Sequence, residues 1–252
     1  MAIVKEYPHQ TKKSNKAFFK KMEKERTPLD WAATAGWWET DGSFFKQRDT
    51  RVSLNLRDRE PVEIFSKTFK VTMCFLSSPT TTPNGKKYMS HMYSATMYGE
   101  KARWFTKHVY PYLIKQSKKD VASKVLGYRP ESKDPADWTP DEVRNYMATA
   151  MDGDGTYEKK GLSIQGTLYS SDPQYLSDVT NLVRDKLEMK THLQKFGTYM
   201  TQKGPRVQYG LRIRGSWRAN LNIAFFQSLP SVMTLSRKKE KVQEFLNNEK
   251  KF

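Results

Sequence analysis

The sequence has a single cysteine, Cys74, which by itself excludes an intramolecular disulfide and any metal site built from clustered thiolates. Cys74 stands between Met73 and Phe75 in an apolar run, so a buried structural thiol is expected there. Long apolar runs are missing too. The opening residues MAIVKEYPHQTKK lack the apolar stretch of a signal peptide, and no segment is long enough to span a bilayer. The expectation is an intracellular protein, neither secreted nor bound to a membrane. Acidic residues are scarce: 27 Asp and Glu stand against 44 Lys and Arg, a formal charge of +17 that attracts polyanions at long range.

What remains is enough for a packed core. Hydrophobic residues make up 37% and aromatics 13%, so the chain is not a disordered one despite a mean hydropathy of -0.80. The core should lean on aromatics and Met as much as on aliphatics. A length of 252 residues suits one large domain or two of ordinary size.

The chain contains itself twice. TPLDWAATAGWWETDGSF (27–44) is echoed by TPDEVRNYMATAMDGDGTY (139–157). Each copy has Thr-Pro, an acidic residue soon after, a helix-like stretch and then Asp-Gly. Thr27 and Thr139 are expected as helix N-caps with Pro28 and Pro140 at the first helical position. Glu142 would complete a capping box with Thr139, and Asp30 a lesser one with Thr27. Downstream, DREPVEIFSKTF (58–69) matches DPQYLSDVTNLV (172–183), and YPYLIKQSKK (110–119) matches LPSVMTLSRKK (229–239). The division expected is a basic N-terminal extension (1–26), a first half (27–126), a Pro- and charge-rich linker (127–138) and a second half (139–252). Residues 14–26 have the composition of a further helix.

Between the helices the pattern has period two. Arg51, Ser53, Asn55, Arg57 and Arg59 alternate with Val52, Leu54 and Leu56. Ser163, Gln165, Thr167 and Tyr169 alternate with Leu162, Ile164, Gly166 and Leu168, and Arg206, Gln208, Arg212 and Arg214 with Val207, Tyr209, Leu211 and Ile213. Residues 88–98 are strand-like with a less regular pattern. A solvated strand usually mixes charges of both signs. These faces carry Arg, Gln, Asn, Ser and Thr, the donors that meet phosphates and base edges, and Arg48 extends the set. A nucleic-acid-binding face is therefore expected.

Each repeat also runs a helix straight into Asp-Gly, at ETDG (39–42) and DGDG (152–155). Glycine there would allow the backbone to leave the helix. The preceding Asp sits at a helix C-terminus, where the macrodipole disfavours a carboxylate, and two such groups together would repel further. Divalent cations would relieve both costs.

AATAGWWETDGSF and YMATAMDGDGTY resemble two diverged LAGLIDADG motifs, and the resemblance to the LAGLIDADG homing endonuclease family extends over most of residues 27–246. It departs at Thr34 and Met147, where Leu leads the motif, and at Thr149, where Gly is usual and where a slightly wider helix crossing is expected. The resemblance implies an α/β fold of two pseudo-symmetric αββαββα halves with antiparallel, saddle-shaped sheets. It implies a monomer that hydrolyses both strands of double-stranded DNA at a long pseudo-palindromic site with Mg²⁺ or another divalent cation. Asp41 and Asp154 would bind metal at the scissile phosphates. Glu39 and Asp152 would be structural or outer-shell acids. Basic residues beside the metals would come from Lys115 or Lys118 in the first half and from Arg237 or Lys238 in the second. The family's strand-end Gln has no match at Leu56 or Ser170, with Asn55 the nearest substitute. An RNA maturase acting on intron RNA, or a non-cleaving DNA-binding protein on the same scaffold, is the alternative; both Asp residues being present favours cleavage.

Overall fold

The computed structural model describes residues 2–5, 12–46, 50–81, 85–201 and 204–247. The N-terminal extension supplies strand β1 (Ala2–Lys5) and helix α1 (Lys12–Glu25). The first half then runs α2 (Pro28–Thr40), β2 (Gly42–Lys46), β3 (Thr50–Leu56), α3 (Arg59–Phe69), β4 (Met73–Thr81), β5 (Lys87–Tyr98), α4 (Gly99–Val109) and α5 (Gln116–Leu126). The second half repeats the order with α6 (Pro140–Asp154), β6 (Gly155–Lys160), β7 (Ser163–Ser170), α7 (Pro173–Leu187), β8 (Thr191–Thr201), β9 (Gly204–Ser216), α8 (Ile223–Val232) and α9 (Ser236–Leu246). Each half is αββαββα, as the motif pattern suggests, followed by one further helix. No helix among the described residues is long and apolar enough to cross a membrane.

Both sheets are antiparallel, and the strand orders β4-β5-β3-β2 and β8-β9-β7-β6 superpose the two repeats. The first sheet gains a fifth strand because β1 pairs with β4, a role the basic extension does not advertise. Within the same extension, Phe18 and Phe19 of α1 pack on Trp104 of α4, and Glu23 accepts a hydrogen bond from the Trp104 indole.

Period two decides which sheet face is covered. Val52, Leu54, Ala95 and Met97 of the first sheet are buried beneath helices, as are Ile164, Leu168, Leu211 and Ile213 of the second. Arg51 and Arg214 lie on the opposite, open faces and are exposed. In the first half the core is built on aromatics, with Trp38, Phe65, Phe69 and Phe105 in mutual ring contact. The linker is held rather than free. Lys133 pairs with the buried Glu142 at 2.6 Å, and Trp138 is buried against Tyr112 and Tyr146.

Three local expectations change. The strand does not run to residue 59: β3 stops at Leu56, and Arg59 opens α3, where it pairs with Glu63 at 3.1 Å. Asp58 and Pro61 read as a helix start, and that signal overrides the alternation. Cys74 is half-buried, paired across the sheet with Ser94, rather than sealed in the core. The Asp-Gly glycines are not in the left-handed region, Gly155 having φ −99°. Space is what requires them: a Cβ on Gly42 would lie 2.7 Å from Trp38 Cα, and one on Gly155 2.7 Å from Met151 Cα.

Helices α2 and α6 cross at the centre. Both begin with a complete capping box, Thr27 with Asp30 and Thr139 with Glu142. Ala32, Ala35, Ala148 and Ala150 are fully buried between the halves. Thr149 does not widen the crossing. Its hydroxyl donates to Ala33 O at 2.7 Å and occupies the space left by Gly36, where a Cβ would also lie 2.9 Å from the Ala150 backbone nitrogen. Gly36→Val should therefore cost about 1–3 kcal/mol, since backbone on the partner helix cannot yield as a side chain does. Urea unfolding of the variant against wild type measures it, and an unchanged midpoint would contradict so close an approach.

Candidate active site

The two central helices end side by side, and each passes directly into an edge strand. Asp41 caps α2 and precedes β2; Asp154 closes α6 and precedes β6. The duplicated motif thus brings both carboxylates to one place. A Cβ on Gly153 would lie 2.5 Å from Asp41 Oδ2, so the backbone of α6 lies against the Asp41 carboxylate.

The electrostatics follow from position. Burial, reinforced by the nearby Asp154, raises the Asp41 pKa to about 6, against the opposing pull of Thr40, Lys238 and Lys118. Asp41 Oδ2 is buried and has no hydrogen-bond partner. Asp154 is exposed; surrounding protein raises its carboxyl pKa, while Lys115, Lys238 and Lys118 lower it. Among the described residues, no three His, Cys, Asp or Glu side chains cluster as a complete metal-binding set. Two carboxylates with an unsatisfied oxygen nevertheless fit a Mg²⁺ ion, which is commonly held by one or two carboxylates together with substrate phosphates and water.

Glu39 and Asp152, fully buried, have the structural role expected of them. Glu39 Oε1 accepts hydrogen bonds from the backbone N–H groups of Ile114 and Lys115, the latter at 3.0 Å. Asp152 Oδ2 accepts from the N–H groups of Thr234 (2.6 Å) and Leu235 (3.2 Å). Each acid ties the end of its central helix to the chain entering α5 or α9, and so sets where the following lysines fall. Burial raises the pKa of both acids, that of Asp152 to about 6.

Lys118 and Lys238 are structural equivalents, each third in its helix. Lys238 is buried, donates to Met151 O (2.9 Å), Asp152 O and Gly153 O (3.2 Å), and has its pKa lowered to about 8 by burial. Lys118 donates to Gly42 O, and Lys115 donates to Glu39 O at 2.8 Å with its ammonium 4.4 Å from the Tyr175 ring centre. Lys115 and Lys238 satisfy carbonyls at the ends of the central helices and Lys118 one at the start of β2, and their charge offsets the dipole that opposes the carboxylates. Arg237 instead pairs with Asp58 at 2.9 Å, in the other half of the molecule, and is not brought to the carboxylates.

The open faces hold most of the expected DNA-contacting residues. Arg51, Ser53 and Asn55 share one face of β3, and Ser163, Gln165, Thr167 and Tyr169 share one face of β7. Arg212 and Arg214 stand directly across from Thr167 and Gln165, with Gln208 and Arg206 further along β9. Ser53 and Thr167 are buried on these faces and lie within 3.3 and 3.5 Å of the amide nitrogens of Asn55 and Gln165. They therefore support contacts rather than present them. Arg57 is exposed in the bend after β3, Arg59 is drawn into α3, and Arg48 lies outside the described residues. The sequence pattern missed Phe45 and Phe196, whose rings lie against Arg51 and Arg212.

No protein-family model matches the sequence, and no curated protein matches it. Among solved structures, the chain is similar to the homing endonuclease I-WcaI bound to its DNA recognition sequence, with a TM-score of 0.53 and 13% identity over 95% of each chain. Weaker likenesses are to the N-terminal LAGLIDADG domain of DUF199/WhiA (TM-score 0.40, 8% identity, 83% of this chain and 85% of that one) and to full-length DUF199/WhiA from Thermatoga maritima (0.44, 9%, 92% and 65%). The chain has the LAGLIDADG homing endonuclease fold.

The raised Asp41 pKa has a definite sign in stability. Between about pH 4 and 6 the folded state binds a proton that the unfolded state releases, so this group's contribution falls as pH rises through that window. Asp41→Asn should therefore raise the melting temperature at pH 7.5 in chelator, and the advantage should shrink by pH 5. Thermal melts across that range check it; an advantage independent of pH would contradict the shift.

Proposed function

We propose, from this fold, that the chain is a site-specific double-strand DNA endonuclease that acts as a monomer with Mg²⁺ held by Asp41 and Asp154. The observation that carries the proposal is the meeting of two carboxylates at adjoining helix ends, one with a buried oxygen that nothing in the protein satisfies. A divalent ion bound there would polarise the scissile phosphate, activate a water and stabilise the leaving oxygen.

The protein's own part is placement. Lys238 holds the end of α6, Lys118 holds the start of β2, and both keep positive charge beside the carboxylates. Glu39 and Asp152 fix the segments that carry those lysines. The open sheet faces, basic chiefly in the second half, bind the DNA on either side of the cut. A monomer suffices because one chain supplies both carboxylates. Such an enzyme would work inside the cell, where cutting a long site supports mobility of the element that encodes it.

Cleavage of a plasmid carrying the target tests the proposal. Asp41→Asn and Asp154→Asn should each lower double-strand cleavage by about 100-fold or more while target affinity stays within a few-fold. Mg²⁺ should raise the melting temperature of the wild type and have less effect on the double variant. Cleavage near wild-type level in both single variants would remove these residues from catalysis. A wild type that binds one sequence tightly and never cuts it would make the chain a non-cleaving binder. Affinity should also fall with salt, log K dropping about 0.9 per phosphate contact for each unit of log concentration, and a flat titration would exclude DNA as the partner.

A further inference from the structure

On the open face of each sheet, one arginine lies over a phenylalanine ring. Arg51 Cζ is 4.5 Å from the ring centre of Phe45, its direct cross-strand neighbour on β2. Arg212 Cζ is 4.6 Å from the ring centre of Phe196, which reaches over from β8. The second seat depends on two local features. Phe196 keeps the parity of His192 and Gln194, which are level with Arg212 and Gly210 on the open face, and it is the extra residue at a β-bulge between Lys195 and Gly197. Gly210 leaves room for that ring, since a Cβ there would overlap it, and Tyr169 packs edge-on at 5.2 Å.

Neither arginine has a carboxylate within salt-bridge range among the described residues, whereas Arg59 and Arg237 are held by Glu63 and Asp58. Arg212 Nε is buried without a partner, so its remaining donors are the ones open to a ligand. A guanidinium settled on a ring before DNA arrives has less freedom to lose on binding, and its planar fork matches the O6 and N7 acceptors of guanine.

Resting on the nuclease reading, we propose that Arg51 and Arg212 each read a guanine in the major groove, one in each half of the target, and that Phe45 and Phe196 are positioning residues for them. The two contacts are not symmetric. Arg51 is level with Phe45, four residues past Asp41, whereas Arg212 is level, through Thr167, with Thr156, two residues past Asp154. Arg51 is also one strand from β2, whereas Arg212 is two strands from β6, so the two guanines lie at unequal distances from the point of cleavage.

The test is selection from a DNA library with every position randomised, using the wild type, Phe45→Leu, Phe196→Leu, Phe196→Tyr and Arg212→Ala. The wild type should enrich one guanine in each half, at unequal distances from the centre. Phe196→Leu keeps an apolar side chain without a ring, and it should lower the guanine preference at one position by about 3-fold. Phe196→Tyr should retain that preference, Arg212→Ala should erase it, and Phe45→Leu should act only on the other half. Gly210→Ala crowds the same ring and supplies a second disturbance of the seat if Phe196→Leu folds poorly. Profiles altered at every position, or at none, overturn the proposal. Failure of the wild type to enrich any sequence would instead count against the nuclease reading, before either phenylalanine is involved.

Discussion

The close passage of α2 and α6 is the constraint on which the rest of the molecule depends. Gly36 has no side chain, and Thr149 turns its hydroxyl into the space and bonds the opposite helix. With the helices locked at that depth, their C-termini arrive together. Because β2 and β6 begin one residue after Asp41 and Asp154, the same crossing sets where each sheet starts. A shift of one helix against the other would move the carboxylates and a DNA-facing sheet at once.

That arrangement carries an electrostatic penalty which the fold distributes rather than removes. Two carboxylates sit at the negative ends of two helix dipoles, and burial discourages ionisation of Asp41 further. Lys115 and Lys238, at helix-end carbonyls, and Lys118, at the first carbonyl of β2, answer it through the backbone instead of bonding the carboxylates directly. The Asp41 oxygen is left unsatisfied as a result. The protein is thus basic overall yet acidic at one point, and the acidic point lies where the two repeats meet.

Much of this was legible in the sequence, for physical reasons that differ by element. The duplicated Thr-Pro and Asp-Gly boundaries locate both central helices because caps and breakers act locally. Alternation in β3, β7 and β9 separates core face from open face because a strand has no other way to present its residues. What stayed hidden depends on contacts far apart in the chain. The equivalence of Lys118 with Lys238 follows from Glu39 and Asp152 gripping backbone N–H groups, which a spacing of prolines does not show. Arg57 and Arg59 continue the strand pattern on paper, yet Asp58 and Pro61 start a helix beneath them. Phe196 shares its face with His192 and Gln194, but nothing local to residues 191–201 shows that this strand lies beside Arg212 of β9.

The unequal sheet margins bear on solubility. An exposed strand edge is a template for pairing with another molecule, and sheets are blunted by short terminal strands, irregularities or lysines. In the first half β1, a strand of four residues, covers Met73–Phe75 of β4 and leaves Leu76–Thr81 as margin among the described residues. In the second half β8 is left as the margin, eleven residues long, but it is broken by the bulge at Phe196 and carries Lys195 beside it. The N-terminal extension and the bulge therefore serve one end. Each shortens the run of unpaired backbone along which two copies of this chain would otherwise zip together into aggregates.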